Sequence, residues 1–327
     1  MKVTVAICTW NRAALLDRTL ESFHKLRIPA GLEWEIVVVD NNCTDDTTAI
    51  VAKHAVRLPV IAVREVRQGH SHARNRAVDT ARGELILWTD DDVQVSANWV
   101  AEFVRVANEN PQAGFFGGRV TPWYGDDVPT ANRQRIEANA TRLAPVFSLK
   151  DYGTNVRPLA RDEGPFGANM AYRTALMRRF RFDPIFGRVK TGLIGADEVS
   201  VIRAMQAEAI PGMWVGTTEV KHYIPRERTN LHHFWAYFHA LGRTHVRLEG
   251  LPVCPTLFGR PRWTVFGYAK ARLRAWVGRI RGRPDWLDDY LTAAKYAGFL
   301  AECSANREPA TAGYLVAPRW PATAPVA

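Results

Sequence analysis

The first 110 residues predict an α/β fold, a mainly parallel sheet covered by helices on both faces. Three observations carry this. Short apolar runs alternate with stretches of helical periodicity from Val3 to Asn108. The runs are apolar at consecutive positions, the pattern of strands buried on both faces. The intervening segments are long enough for crossover helices between parallel strands.

The elements follow in order. Val3 to Cys8 is the first strand. Ala13 to Leu26 places Leu15, Leu16, Leu20, Phe23 and Leu26 at helical spacing. Glu35 to Val39 is the second strand, and Asp45 to His54 a helix capped by Thr44 or Asp45. Val60 to Val66 is a strand, Ser71 to Ala81 a helix and Glu84 to Trp88 a fourth strand. A helix capped by Ser96 then runs to Asn108. The second half is less regular. Phe115 to Val120, Phe166 to Tyr172 and Trp214 to Tyr223 read as strands, and Asp197 to Ala207 as a helix. Asp126 to Pro165 is a polar connection with weak helical pattern.

The 327 residues suffice for one large domain or two small ones, and 47% hydrophobic residues supply a core. A net charge of +10 favours anionic partners without choosing among nucleotides, nucleic acid and membrane. Cys8, Cys43, Cys254 and Cys303 lack Cys-x-x-Cys spacing, which argues for reduced thiols rather than a zinc site or disulfides. The start of the chain lacks a signal-peptide pattern, and no segment reaches roughly 18 continuous apolar residues. A cytoplasmic location is therefore expected, with peripheral contact to the inner membrane face left open.

In open α/β sheets ligands bind beyond the carboxyl ends of the strands. The polar residues there are Thr9, Asn11 and Arg12, then Asp40, Asn41 and Asn42, then Asp90, Asp91 and Asp92. Adjacent carboxylates repel one another, and a divalent cation between them relieves the repulsion. An Asp triplet can instead cap a turn or a helix, and Asp40 can serve an ordinary Asx turn. The position of the triplet after a buried-looking strand favours the site.

These residues carry a resemblance. Thr9-Trp10-Asn11-Arg12, Val38-Val39-Asp40-Asn41, Ala73-Arg74-Asn75-Arg76-Ala77, Gly83-Glu84 leading to Asp90-Asp91-Asp92, and Gly195-Ala196-Asp197-Glu198 together resemble family 2 glycosyltransferases of the GT-A fold. The order and spacing hold over about 220 residues and leave the last hundred outside. The resemblance implies a Rossmann-like catalytic domain over 1–225, its nucleotide-sugar half near 1–120 and its acceptor half near 121–225. A helical region, 226–305, and a flexible Pro/Ala-rich tail, 306–327, are expected to follow.

It further implies an inverting, metal-dependent hexosyltransferase that moves a sugar from a nucleotide-diphosphate donor, UDP-sugar first, to a saccharide or lipid-linked acceptor. Cell-surface polysaccharide or glycolipid synthesis is the implied setting. Thr9, Asn11, Arg12 and Asp40 would contact the nucleotide. Arg74 would sit beside it, and Asp90 and Asp91 would line the donor. Asp90, Asp92 and His222 would hold Mn²⁺ or Mg²⁺ on the diphosphate, whose leaving-group charge needs a cation. Arg226 and Arg228 suit a diphosphate clamp. Asn169, in Gly164-Pro165-Phe166-Gly167-Ala168-Asn169-Met170, would touch the acceptor sugar. Asp197 would be the general base, with Glu198 as the alternative. The family's usual Gly-Glu-Asp here reads Gly195-Ala196-Asp197, so the acid before the base is missing.

From Arg260 to Arg283 there are eight basic residues and no acidic one. On a helix at about 100° per residue, Phe266, Leu273, Trp276, Val277 and Ile280 share a face. Lys270, Arg274 and Arg281 flank it on one side, and Arg272, Arg279 and Arg283 on the other. That layout suits an amphipathic helix on an anionic membrane, or one packed on the catalytic domain with its basic edges in water. Gly267, Gly278 and Gly282 weaken the helix.

Rival readings fit less well. A sugar-phosphate nucleotidylyltransferase would carry a Gly-rich loop after the first strand, where Cys8-Thr9-Trp10-Asn11-Arg12 stands. A dinucleotide oxidoreductase would show G-x-G-x-x-G there. A basic nucleic-acid-binding protein accounts for the charge but not for three aspartates at a strand end, so no nucleic acid is expected as partner. A processive synthase would carry membrane spans and a Gln/Arg-rich motif.

Overall fold

The structure is a computed structural model that describes residues 1–190, 192–193 and 195–305. The expected tail, 306–327, lies outside the described residues. The chain divides into two compact units, Met1–Phe234 and Trp235 onward. The break falls nine residues after the expected boundary at 225, inside a helix.

The first unit opens as the periodicity predicts: β1 (Val3–Thr9), α1 (Ala13–Phe23), β2 (Trp34–Asp40), α2 (Thr47–Ala55), β3 (Val60–Arg64), α3 (His70–Thr80) and β4 (Leu85–Asp90). There follow β5 (Val93–Val95), α4 (Trp99–Glu109), β6 (Phe115–Tyr124), α5 (Thr130–Ala138), α6 (Ala140–Leu143), β7 (Val156–Pro158), β8 (Met170–Arg173), α7 (Thr174–Arg179), α8 (Asp197–Ala207) and β9 (Gly212–Ile224). The sheet runs β3-β2-β1-β4-β8-β6-β9-β5, with β7 added against β9.

Strands β3, β2, β1 and β4 are parallel. Beyond β4 the sheet is mixed, because β8 pairs antiparallel with both β4 and β6 while β6 and β9 run parallel. The expected parallel sheet is thus confined to its first four strands. Alternate residues of the strands serve two cores. Val3, Val5, Ile7, Ile36, Val38, Leu85 and Leu87 pack with Leu16, Leu20, Phe23, Trp99 and Phe103 of α1 and α4. Ala6, Val37, Val39, Ile86 and Trp88 pack with Ala73, Ala77 and Val78 of α3 and with Met177, Val201 and Met205 beyond. Each fully buried Val, Leu or Ile contributes roughly 1.5–3 kcal/mol.

Local differences have local causes. Ser96 does not cap α4, which starts three residues later; its Oγ accepts from Glu219 N at 3.4 Å and its carbonyl from Trp99 N at 3.0 Å. Asp45 stands two residues before α2, takes the Thr47 hydroxyl at 2.6 Å, and also accepts Ala13 N at 2.8 Å. The 126–165 connection holds α5, α6, a 3-10 turn and β7, all too short to leave a periodic signal.

The second unit contains most of α9 (Leu231–Glu249), the hairpin β10 (Thr256–Leu257) and β11 (Arg260–Pro261), and helices α10 (Arg262–Ile280) and α11 (Trp286–Ala305). Glu302, fully buried, accepts from Arg243 Nε at 2.7 Å and Arg247 Nε at 2.8 Å, tying α9 to α11. Burial raises its pKa, but the two guanidinium groups win and hold it below its ordinary 4.5. Glu302→Ala is expected to destabilise this unit by about 3 kcal/mol, since it strands two partly buried cations. The group's folded pKa is depressed, so its contribution is present above about pH 4.5 and lost as pH falls through the folded value. Denaturation of wild type and variant should therefore differ near neutrality and converge in acid.

Candidate active site

Register brings the acids together. Parallel pairing sets Thr9 beside Asp40 and Cys8 beside Asp90, so β2, β1 and β4 end side by side. The chain then turns into β5, whose Val93 pairs with His222 of β9, while Asp92 O accepts Tyr223 N at 2.8 Å. This puts His222 Nε2 3.2 Å from Asp92 Oδ1. Two separate strand pairings thus converge on one carboxylate.

The three aspartates differ in surroundings. Asp91 is buried and accepts the Thr9 hydroxyl at 2.7 Å and Arg12 Nη1 at 2.9 Å. Burial pushes its carboxyl up to about 6, with Asp92 adding to the rise and Arg12 opposing it. Asp92 is buried too, and burial alone would raise its pKa. The adjoining His222, Arg12 and Arg228 instead hold it well below the usual carboxylate range. Its Oδ2 accepts Arg12 Nη1 at 3.0 Å and lies 3.8 Å from Arg228 Nη1. Its Oδ1 is engaged by His222 Nε2, while His222 Nδ1 is a buried polar atom without a hydrogen-bond partner among the described residues.

A buried polar atom left unsatisfied, here His222 Nδ1, normally costs about 1–3 kcal/mol, and a ligand explains its retention. Asp90, Asp92 and His222 offer one ligand atom each, all within 4.8 Å of one another. Two carboxylate oxygens and an imidazole nitrogen suit Mn²⁺ or Mg²⁺ as ligands, so the residues fit such an ion. Glu21, His24 and His54 form a second such group, but there the imidazoles already hydrogen-bond each other at 3.0 Å and His54 engages Asp17 at 2.7 Å.

Opposite-charge packing builds the other wall. Arg74 of α3 is buried, with Nη1 3.1 Å from Asp197 and 3.5 Å from Glu198 at the start of α8. Its guanidinium lies over the Phe182 and Trp88 rings, at 5.1 and 5.9 Å. Gly167 makes this position available, because a Cβ there would stand 2.2 Å from Arg74 Nη2. Burial would lower the Arg74 pKa, but Asp197, Glu198 and Asp90 raise it further, so the charge is permanent. Burial, then Asp197 beside it, raises the Glu198 pKa. Asp197 is 3% exposed at its side chain and Glu198 20%, so Glu198 is the more accessible of the two.

The structure brings Arg12, Asp90, Asp91, Asp92, His222 and Arg228 into one cluster, and Arg74, Asp197 and Glu198 into another. Other residues named from the sequence make contacts outside these two clusters. The Thr9 hydroxyl is buried on Asp91 rather than facing a nucleotide, and Asp91 itself anchors the loop from inside. Asp40 Oδ1 accepts Cys43 N, three residues on, at 2.6 Å, and Asn11 Oδ1 accepts Thr44 N at 2.7 Å. Arg226 is exposed on a 3-10 turn, apart from the contacts made by Arg228.

Asn169 is a correction. It is fully buried, donates to Arg119 O at 2.8 Å and accepts Trp99 Nε1 at 2.8 Å, so both ends of its amide bind protein rather than sugar. Asn169→Ala is expected to cost about 1–3 kcal/mol of stability by orphaning those groups. Acceptor KM should stay unchanged in the folded enzyme.

Two residues that sequence reasoning missed border the Asp197 cluster. Ser71 Oγ lies 3.3 Å from Asp197 Oδ2, and His70 Nδ1 3.7 Å from it. Burial and Arg74 push the His70 pKa down to about 3, so the imidazole is neutral. Their signal was helical spacing: residues three and four before Arg74 share its face.

Comparison with known proteins settles the family. The family model described as Glycosyl transferase family 2 matches residues 4–179, more than half of the chain. The chain belongs to glycosyl transferase family 2. Among curated relatives, this family 2 chain is 26% identical over 156 residues to the succinoglycan biosynthesis protein ExoM of Rhizobium meliloti, covering 47% of this chain and 49% of that one. It is 29% identical over 111 residues to the GalNAc(5)-diNAcBac-PP-undecaprenol beta-1,3-glucosyltransferase of Campylobacter jejuni, covering 33% and 35%. The chain thus spans half or less of the length of these relatives.

The fold matches that of solved GT-A glycosyltransferases. The mannosyltransferase PcManGT of Pyrobaculum calidifontis, solved with GDP-Man and Mn²⁺, gives a TM-score of 0.53 at 18% identity over 94% of this chain and 88% of that one. TarS residues 1–349 of S. aureus give 0.51 at 17% identity over 93% and 91%.

Proposed function

We propose that the chain transfers a sugar from a nucleotide-diphosphate donor, UDP-sugar first, to an acceptor hydroxyl with inversion at the anomeric carbon. The observation that carries this is the Asp90–Asp92–His222 grouping, whose three ligand atoms lie within 4.8 Å of one another. Those residues would hold Mn²⁺ or Mg²⁺, which on binding supplies charge neutralisation for the departing diphosphate. Arg228, 3.8 Å from Asp92, is placed to bind a diphosphate oxygen beside the acids. Arg12 bridges Asp91 and Asp92 through one nitrogen and offsets their repulsion, which preorganises the loop before the donor arrives. Asp40 and Asn11, on neighbouring strand ends, would meet the base and ribose.

On the other wall Asp197 would accept the proton of the acceptor hydroxyl as it attacks. Arg74 and Ser71 fix that carboxylate's orientation. Glu198, more accessible and with a raised pKa, is the competing base. One displacement inverts the centre. The names of the relatives point to polysaccharide and undecaprenol-diphosphate-linked acceptors, and a saccharide on a lipid carrier is the acceptor class proposed here.

The test is a screen of UDP-, GDP- and dTDP-sugars with Mn²⁺ or Mg²⁺, read as released nucleoside diphosphate and as anomeric configuration of the product. One donor consumed only with cation, giving the inverted linkage, is the expected result. Retained configuration would contradict the single displacement, and consumption of a sugar phosphate with a nucleoside triphosphate would restore the nucleotidylyltransferase reading.

A further inference from the structure

One face of α10 exposes a row of large apolar side chains. In α10, Phe266, Leu273, Trp276 and Ile280 are 58%, 60%, 64% and 66% exposed. At about 100° per residue they fall within one quarter of the helix circumference. The buried residues of the same helix are Thr264, Ala271, Ala275 and Gly278, on the opposite side. Small residues do the packing and large apolar ones face outward, the reverse of a helix whose apolar stripe faces a core.

The glycines explain why α10 keeps this orientation. A Cβ at Gly267 would stand 2.9 Å from the Tyr296 ring, and one at Gly278 would stand 3.0 Å from Trp286 Cβ. Both neighbours belong to α11. Glycines that looked like helix weaknesses are therefore the seam for close approach of α11, which leaves the apolar ridge outside.

The rim of that ridge is cationic. Arg262, Lys270 and Arg281 are exposed. Arg274 reaches Asp289 at 3.4 Å, Arg272 lies over Trp235 at 5.3 Å and Arg279 over Trp286 at 5.5 Å, so these three flank the ridge on packed elements. The hairpin leading into α10 adds a second exposed apolar group. Phe258 and Gly259 form its two-residue tip, with φ of 51° and 75°, and Phe258 is 94% exposed. No helix among the described residues is long and apolar enough to cross a membrane.

We propose that the apolar face of α10, with Phe258 at the hairpin tip, docks onto an anionic phospholipid surface and lies in its headgroup region. Charge complementarity selects this occupant. Cations on both flanks of an apolar ridge, with no acid from Arg260 to Arg283, match negative headgroups above acyl chains. The contact stands without the sugar-transfer reading; where both hold, the enzyme meets a lipid-linked acceptor at the surface that carries it.

The test is flotation of the full chain with vesicles of phosphatidylcholine alone or mixed with phosphatidylglycerol. Wild type should float with the anionic vesicles, about tenfold less with neutral ones, and less as salt rises. Leu273→Glu/Trp276→Glu should lower anionic binding about tenfold or more while keeping its circular dichroism and its metal-dependent nucleotide binding. Preserved nucleotide binding separates loss of docking from loss of the catalytic unit. Lys270→Ala/Arg281→Ala should weaken binding to anionic vesicles alone. Wild type that floats with neither vesicle, or a charged-face variant that floats as well as wild type, overturns the proposal. So does a dimer in light scattering that the same variant splits while vesicles bind neither form, because the face would then belong to a second copy.

Discussion

Asp92→Ala should lower glycosyl transfer on the order of 10³-fold and remove its dependence on added Mn²⁺ or Mg²⁺. Asp92 is a buried carboxylate held ionised by His222, Arg12 and Arg228, with His222 Nε2 3.2 Å from its Oδ1. Alanine removes that oxygen and strands three basic groups. Asp92→Asn is the companion variant, because it keeps the shape and the Arg12 acceptor while removing the charge. Both should show the same loss of metal response when nucleoside diphosphate release is measured against cation concentration. Asp91→Asn is the contrast. Asp91 faces Thr9 and Arg12 rather than the grouped ligand atoms, so its loss should lower thermal stability and leave the cation midpoint nearly unchanged. If Asp91→Asn alone shifted the cation midpoint, the assignment of ligands within the triplet would be wrong.

Asp197→Asn should lower kcat by roughly 10³-fold with donor binding nearly unchanged, as expected when a general base is lost. Glu198→Gln should cost less, about tenfold, through acceptor positioning. The pH profile separates the two carboxylates. A base must be ionised, so activity falls as pH drops through its pKa. Burial and the neighbouring Asp197 raise the Glu198 pKa above its ordinary 4.5. If Glu198 were the base, the acid limb would lie above that value and vanish in Glu198→Gln along with most of kcat. If Asp197 is the base, Glu198→Gln keeps most of kcat. Stopped-assay rates across the acid range, for both variants, decide it.

The first four strands were legible because each is a run of mostly consecutive apolar residues, and the first three are each followed by a helix. Val37, Val38 and Val39 read as a buried strand and are one. The mixed half was not legible, since the direction of β8 depends on long-range pairing with β4 and β6 rather than on any local pattern. The acidic triplet could be found from its place after a strand, but its internal division of labour could not. Which of Asp90, Asp91 and Asp92 faces a ligand is set by Thr9 and Arg12, some eighty residues away in sequence.

Asn169 shows the opposite failure. A motif position suggested a sugar contact, while the fold uses its amide to join Trp99 to Arg119. His222 was named as a ligand by the family resemblance rather than by any local pattern, and β5, three residues long and unforeseen, is what presses it against Asp92.

The central claim is that Asp90, Asp92 and His222 hold the cation through which the donor diphosphate binds. Isothermal titration of UDP and GDP into the wild type, with and without Mn²⁺, and into Asp92→Ala and His222→Ala, tests it most directly. The account predicts binding of one nucleotide in the presence of Mn²⁺, weakened about a hundredfold or more without it and in Asp92→Ala, with His222→Ala weakened about 10–100-fold. Equal affinity with and without the cation, or unaltered binding in folded Asp92→Ala, would contradict it.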